Sequence, residues 1–254
     1  MSQATYVLIT GCNRVNSILG IGRGLFETYI TRTDHVVIAA VRDPTAESSK
    51  ELLNVTKGTN SRCILVKIDS ASEMDALEAI KSLRRDHGIV KLDLVIANAG
   101  ISKYFGTAEM TPVKEMIDHF RVNSVAPLLL FQATCPLIHA AKAPKFVTIS
   151  SGAGSLGFME NLKVENTAYG SSKAALNFIT RRIHFENPDL VAFSINPGWL
   201  QTDLGNHAAK SSGLSAAPVS VQDGVNGIVN VIDGATKDAT SGRFLSWENK
   251  ELPW

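Results

Sequence analysis

The sequence predicts an α/β fold, a doubly wound parallel sheet flanked by helices on both faces. Three observations carry that expectation. Short β-branched runs alternate with longer amphipathic stretches along the whole chain. The early short runs are apolar almost throughout, as in strands covered on both faces. A glycine-bearing turn joins the first short run to the first amphipathic stretch.

The strands are read at Tyr6–Thr10, Val36–Val41, Cys63–Ile68, Leu92–Ala97, Phe146–Ser150, Val191–Asn196 and Phe244–Trp247. Helical patterns lie between them at Gly20–Thr31, Glu47–Lys57, Ser72–His87, Val113–Ala140, Ala168–Asn187 and Val221–Gly234. In Ser72–His87 the apolar residues Met74, Leu77, Ile80 and Leu83 recur at helical spacing, and Ser72-Glu73-Met74-Asp75 offers an N-cap and a first-turn acid. Alternation of this kind predicts right-handed crossovers. The stretch Gln201–Ser220, rich in Gly, Ser and Ala, follows no period and reads as a mobile flap beside the strand ending at Asn196. No linker, repeat or composition break divides the 254 residues, so 1–254 reads as a single domain.

Composition narrows the functional classes. Hydrophobic residues make up 44% and charged residues 19%, an ordinary globular balance. A net charge of +1 gives no electrostatic footprint for nucleic acid or an anionic membrane surface. No apolar run approaches the roughly 18 residues of a membrane span. Cys12, Cys63 and Cys135 form no CxxC and read as free thiols in a reducing compartment. Residues Met1–Tyr6 lack a basic segment leading into an apolar one, so no signal peptide is expected and the placement expected is cytoplasmic. The histidines, His35, His87, His119, His139, His184 and His207, show no metal-ligand spacing, and no metal site is expected.

Strand one runs into Thr10-Gly11-Cys12-Asn13-Arg14, and Gly20-Ile21-Gly22 opens the next helix. A glycine turn between a strand and a helix N-terminus suits a dinucleotide pyrophosphate. Backbone N–H groups and the positive helix end face the anion, and a side chain there would block its approach. The setting is that of a Rossmann-type sheet. Eight residues separate Gly11 from Gly20, so Val15–Leu19 read as an insertion. Strand two ends Ala39-Ala40-Val41-Arg42-Asp43-Pro44, with small neutral residues where an acid would meet a ribose 2′-hydroxyl. Arg42 suits a 2′-phosphate by charge and fork geometry, with Arg14 as a second contact, so the cofactor expected is NADPH/NADP. Asp43 is expected to pair locally or to cap the next helix.

Tyr169-Gly170-Ser171-Ser172-Lys173 places Tyr169 and Lys173 at i and i+4 on one helical face. A nearby ammonium favours tyrosinate and draws a phenol down from about 10. Tyr169 then serves as proton donor to a carbonyl oxygen or acceptor from an alcohol. The preceding strand ends in hydroxyls, Ser150 and Ser151, at the sheet edge where open α/β folds bind ligands. Ser151 is expected to bond the substrate oxygen beside Tyr169, and whichever of the two serines is not catalytic to serve a turn or cap. A serine hydrolase is weighed on Ala153-Gly154-Ser155-Leu156-Gly157 with His207, but the first glycine of a nucleophile elbow is replaced by Ala153. A non-catalytic nucleotide-binding scaffold and a cofactor-pocket isomerase or cyclase stay open on the same fold.

These elements together resemble the classical short-chain dehydrogenase/reductase family over essentially the whole chain. The carrying residues are Thr10-Gly11 to Gly20-Ile21-Gly22, Asp69, Ala97-Asn98-Ala99-Gly100, Val122-Asn123-Ser124, Ile149-Ser150-Ser151, Tyr169 with Lys173, and Asn196-Pro197-Gly198-Trp199 before Thr202-Asp203, in family order. The resemblance implies a ketoreductase that reduces a small-molecule carbonyl with NADPH. It implies Asn123 holding a proton-relay water, Ser151 orienting the substrate, Tyr169 as acid/base, and Lys173 binding nicotinamide ribose and lowering the Tyr169 pKa. It implies cofactor contacts from Gly11, Asn13, Arg14, Gly20, Ile21, Gly22, Arg42, Asp69, Asn98, Ala99, Gly100, Pro197, Gly198 and Thr202. It implies a homodimer or homotetramer, in keeping with the apolar run Leu128-Leu129-Leu130-Phe131 in a long helix. Within the family, His184-Phe185-Glu186-Asn187, Gln201-Thr202-Asp203, Ser241-Gly242-Arg243-Phe244 and Leu252-Pro253-Trp254 resemble fungal norsolorinic acid ketoreductase-like enzymes, and an aromatic or polyketide-derived substrate is implied. Two departures stand out. One is the Val15–Leu19 insertion. The other is the spacing of seventeen residues between Ser151 and Tyr169, which makes Phe158–Leu162 a candidate substrate wall.

Overall fold

The computed structural model describes residues 4–13, 20–161 and 164–254. Seven strands form one sheet: β1 (Thr5–Thr10), β2 (His35–Val41), β3 (Arg62–Lys67), β4 (Leu94–Ala97), β5 (Lys145–Ile149), β6 (Val191–Asn196) and β7 (Phe244–Ser246). Their order is β3-β2-β1-β4-β5-β6-β7, and every pairing between them is parallel. The chain winds outward from β1 to β3, then returns to place β4 on the other side of β1. The crevice beyond the carboxyl ends of β1 and β4 is therefore the topological switch point, where such sheets hold ligands.

Alternation along β1 feeds two cores. Val7 and Ile9 face one cluster, with Leu25, Phe26 and Ile30 of α1 (Ile21–Ile30) and Val225 and Ile228 of α8 (Val221–Gly234). Leu8 faces the other, with Ile80 and Leu83 of α3 (Asp75–His87), Leu130 and Leu137 of α5 (Ala126–Ile138) and Ile183 of α6 (Thr167–Glu186). Each such side chain contributes about 1.5–3 kcal/mol on burial, so the two sheet faces dominate the stabilisation. One polar stitch crosses the second layer: the buried hydroxyls of Thr148, Thr180 and Ser194 bond one another at 2.9 and 3.0 Å, tying β5, α6 and β6.

The structure departs from the sequence expectations at four places. The helix expected over Glu47–Lys57 is only α2 (Glu47–Lys50) and a 3₁₀ turn (Glu51–Asn54). In α3 the inward stripe is Ala76, Ala79, Ile80 and Leu83, while Met74 and Leu77 are exposed. Ser72 lies outside the helix, but its hydroxyl accepts from the Asp75 N–H at 3.2 Å, so it still serves the helix start. The single helix expected over Val113–Ala140 is broken into α4 (Val113–Phe120), a π-helical turn (Arg121–Val125) and α5. Pro127 explains the break: it has no N–H for the Asn123 carbonyl, and its ring collides with that carbonyl in a regular helix. Finally, Gln201–Ser220 is not irregular. It contains α7 (Asp203–Ser211), capped by Thr202, and a bridge between Leu200 and Val219 closes the segment.

Candidate active site

The glycine turn closes on itself too tightly for any side chain. Gly11 has φ +73°, a left-handed conformation that suits glycine. A Cβ on Gly22 would lie 2.3 Å from the Gly11 carbonyl oxygen and 2.4 Å from Asn98 Nδ2. Gly20 caps α1 without a side-chain bond, and the first turn holds no acid. The leading N–H groups have no intrahelical acceptor, so this end of α1 is chemically suited to an anion. Ile21 packs against the first core, and Gly22 is buried. Asn13 Nδ2 donates to Ser49 Oγ at 2.8 Å, and that hydroxyl donates to the Asp43 carbonyl at 2.6 Å. The glycine turn is thereby tied to the turn that carries Arg42, which is exposed at the end of β2. Asp43 accepts from the N–H and hydroxyl of Thr45, which hold its carboxyl below the usual range. The local pairing expected of Asp43 is thus present, and a free carboxylate does not compete with Arg42. Arg14 and the Val15–Leu19 insertion lie outside the described residues, as does Leu162 of the expected wall.

The strand-end turn after β4 holds the opposite wall. The Asn98 and Ala99 N–H groups both donate to Thr10 Oγ1 at 3.0 Å, and Asn98 Nδ2 donates to the Thr10 carbonyl at 2.8 Å. Asp69, after β3, accepts from the Ala71 N–H at 2.9 Å and lines a small cleft with Thr10, Ala97 and Ala99. A Cβ on Gly100 would lie 3.2 Å from Asn123 Oδ1 and 3.5 Å from Lys173 Nζ, so this glycine lets Asn123 and Lys173 approach the same spot. Asn123 is fully buried in the π-helical turn. Its amide accepts from the Ile101 N–H at 2.8 Å and donates to the Ile101 carbonyl and to Ser172 Oγ at 2.9 and 3.0 Å.

Ser151, Tyr169 and Lys173 come together where β5 ends against α6. Ser150 turns inward, buried, and donates to Asn177 Oδ1 at 2.6 Å, so it is the structural member of the serine pair. Ser151 Oγ accepts from the Ala153 N–H at 3.2 Å and lies near enough to Tyr169 to favour its charged form. Lys173 Nζ lies 5.7 Å from the Tyr169 ring centre and donates to the Ile149 carbonyl at 2.8 Å. The electrostatics differ from the expectation of a phenol drawn down by Lys173. Burial pushes Tyr169 above its ordinary value, and Ser151 only partly offsets it. Burial also lowers Lys173 to about 8, which weakens the charge that would favour tyrosinate. In the chain alone Tyr169 is therefore a protonated acid at neutral pH.

The third wall follows β6. Pro197 is buried, and Gly198 at φ +86° leaves no room for a Cβ, which would meet Trp247 Nε1 at 2.7 Å. Thr202 Oγ1 accepts from the Gly205 N–H at 3.1 Å, leaving its O–H hydrogen free to donate. Sequence reasoning missed Trp199, whose indole N–H fixes α7 through the Gly205 carbonyl at 2.8 Å, and Phe105, whose ring meets His207 at 5.1 Å between centres. No spacing rule singles out either residue, because their partners are remote or in an element the sequence did not reveal. Ser155 is buried and donates to the Pro253 carbonyl at 2.6 Å, so it is no hydrolase nucleophile. Among the described residues no helix is long and apolar enough to cross a membrane, and no His, Cys, Asp and Glu cluster suits a metal ion.

Comparison with known proteins agrees with this geometry. Residues 5–212 match the model of the short chain dehydrogenase family. The chain is 41% identical over 99% of its length to the norsolorinic acid ketoreductase of Aspergillus parasiticus, covering 92% of that protein. It is 38% identical over 99% of its length to norsolorinic acid ketoreductase stcE of Emericella nidulans, covering 94% of it. The NADPH-bound carbonyl reductase from chicken fatty liver superimposes with a TM-score of 0.84 at 27% identity, over 99% of this chain and 95% of that one. With its glycine cradle, its Ser151–Tyr169–Lys173 cluster and these relatives, the chain belongs to the short chain dehydrogenase family.

Proposed function

We propose that this protein is an NADPH-dependent ketoreductase that converts a ketone on an aromatic or polyketide-derived molecule to an alcohol. The observation that carries the reading is the convergence of Ser151, Tyr169 and Lys173 at the carboxyl edge of the sheet, facing a cradle with no room for side chains at Gly11 and Gly22. The cradle, the uncapped start of α1 and Arg42 fit a dinucleotide carrying a 2′-phosphate. The remaining contacts fall to Asn13, Arg14, Gly20, Ile21, Asp69, Asn98, Ala99, Gly100, Pro197, Gly198 and Thr202. NADPH bound there supplies a hydride to the carbonyl carbon.

The chain's own residues handle the proton. As negative charge grows on the carbonyl oxygen, Tyr169 Oη donates its proton to it. Ser151 Oγ hydrogen-bonds the same oxygen and holds it within reach. Lys173, beside Gly100, binds the ribose hydroxyls. A water on the Asn123 main-chain oxygen returns a proton toward Lys173 and Tyr169 after turnover. The relatives from A. parasiticus and E. nidulans, named for an aromatic ketone, support the substrate class.

The test is turnover of NADPH with a panel of aromatic ketones by the wild type and Tyr169→Phe. The variant removes one hydroxyl, keeps the ring and should bind NADPH normally, while reduction falls by roughly 10²–10⁴-fold. Near-wild-type reduction by Tyr169→Phe would overturn the acid role. We also infer a homodimer or homotetramer, on different residues from those expected. Leu130 and Phe131 are buried within the chain and Leu128 and Leu129 half-buried, whereas Val113 and Ile117 on α4 and Phe178 and Phe185 on α6 are exposed. Spaced four and seven apart, each pair shares one helix face. A monomer mass by light scattering at micromolar concentration would refute the oligomer.

A further inference from the structure

We infer that Pro253–Trp254 is a strap that sets the substrate wall, making Trp254 a positioning residue for substrate specificity. The inference rests on the ketoreductase reading for the identity of the substrate, but its geometry stands independently. The long spacing between Ser151 and Tyr169 produces a loop that exposes the apolar side chains of Leu156, Phe158 and Met159 beside the polar Glu160, Asn161 and Glu165. Three exposed apolar side chains on a loop that begins at Ser151 mark a surface for an apolar ligand.

That loop is anchored both from within and from the chain's far end. It contains two 3₁₀ turns, Gly152–Gly154 and Met159–Asn161, and Leu156–Phe158 between them is held from outside. The Gly157 N–H donates to the Trp254 carbonyl at 2.8 Å. Ser155 Oγ donates to the Pro253 carbonyl at 2.6 Å and accepts from the Phe158 N–H at 3.0 Å. A Cβ on Gly157 would lie 2.8 Å from Pro253 Cβ, so the two backbones meet without a spacer. The strap is fixed in turn by its indole. The Trp254 ring stacks on fully buried Phe244 of β7 at 5.7 Å and 28°, and the Arg181 guanidinium of α6 covers it at 5.1 Å. The inner end of the loop packs on the α6 backbone at Lys173, since a Cβ on Gly154 would lie 2.6 Å from the Lys173 carbonyl carbon.

The mechanical chain therefore runs from the β7 edge through Trp254 to Gly157 and Ser155, and from there to the loop that starts at Ser151. Trp254 acts through Phe244, Arg181 and Gly157. It decides where Phe158 and Met159 stand when the ring-bearing part of a ketone lies beside Tyr169. A small ketone makes no use of that wall, and a polycyclic one does.

The experiment compares wild type, Trp254→Ala, Trp254→Phe and Gly157→Ala. Hydrogen exchange is read at the amides of residues 155–159, and kinetics with NADPH are read for acetylanthracene and for diacetyl. In Trp254→Ala the Gly157 and Phe158 amides exchange about tenfold faster or more, while those of α6 do not change. The KM for acetylanthracene rises at least about tenfold with kcat nearly constant, and the KM for diacetyl moves by less than about twofold. Trp254→Phe restores both, because a ring again stacks on Phe244. Gly157→Ala reproduces the effect from the other side of the contact, which keeps the test alive if Trp254→Ala does not fold. Unchanged exchange at Gly157 and Phe158 in every folded variant overturns the strap, as does an equal loss for both ketones. If the wild type reduces neither ketone, the ketoreductase reading falls and the exchange data alone decide the strap.

Discussion

The floor and the rim of the site are built on opposite terms. On the floor, nearly every polar side chain is engaged by the protein itself: Thr10 by Asn98 and Ala99, Asn123 by Ile101 and Ser172, Ser150 by Asn177. Glycines there are pressed against backbone. On the rim, Leu156, Phe158 and Met159 are exposed. A floor locked by its own hydrogen bonds is preorganised before any ligand arrives, which suits a ligand of constant shape. Exposed rim residues contribute little to the fold, so they are free to follow the substrate.

Substitutions should separate the two regions sharply. Gly22→Ala forces a methyl group to within 2.3 Å of the Gly11 carbonyl oxygen, so the turn must open. We expect NADPH affinity to fall about 10²-fold, as for an ångström-scale misplacement, and stability to fall by roughly 1–3 kcal/mol. Phe158→Ala on the rim should leave stability within about 0.5 kcal/mol and alter only KM for ring-bearing ketones. Fluorescence titration and thermal melts on both variants check this, and equal melting losses would erase the distinction between floor and rim. Arg42→Ala should lower the preference for NADPH over NADH by about tenfold or more, the worth of one charge-assisted contact. The measurement is kcat/KM for both cofactors, and equal or better use of NADH by the wild type would refute the preference.

A pH-dependent effect concerns Lys173. Its pKa is lowered from 10.5 to about 8 by burial, so the unfolded chain holds this proton over a window in which the folded chain has lost it. Stability attributable to this group thus rises as pH climbs from 8 to 10.5, and the buried ammonium is a cost below 8. Lys173→Met should melt above the wild type at neutral pH, with the gap closing toward pH 10.5. A gap that does not vary with pH would mean that Lys173 is solvated in the folded chain.

How much of this was legible in the sequence depends on the range of the signal. The β strands are legible because short, nearly continuous apolar runs are a local pattern, and β6 is found at the boundaries expected, Val191–Asn196. Helix α7 went unseen because Gly205 and Asn206 obscure its period, although Thr202-Asp203 is a legitimate capping signal. The break before Pro127 was written in the sequence too, at the residue that cannot donate to Asn123.

The sequence by itself determined the sheet, the glycine turn and the i, i+4 pairing of Tyr169 with Lys173, because each depends on neighbours a few residues away. Only the tertiary structure decided that Ser150 is locked to Asn177, that burial keeps Tyr169 protonated, and that Trp254 braces a loop about a hundred residues earlier. Those outcomes depend on desolvation and on contacts between remote segments, and neither leaves a period in the chain.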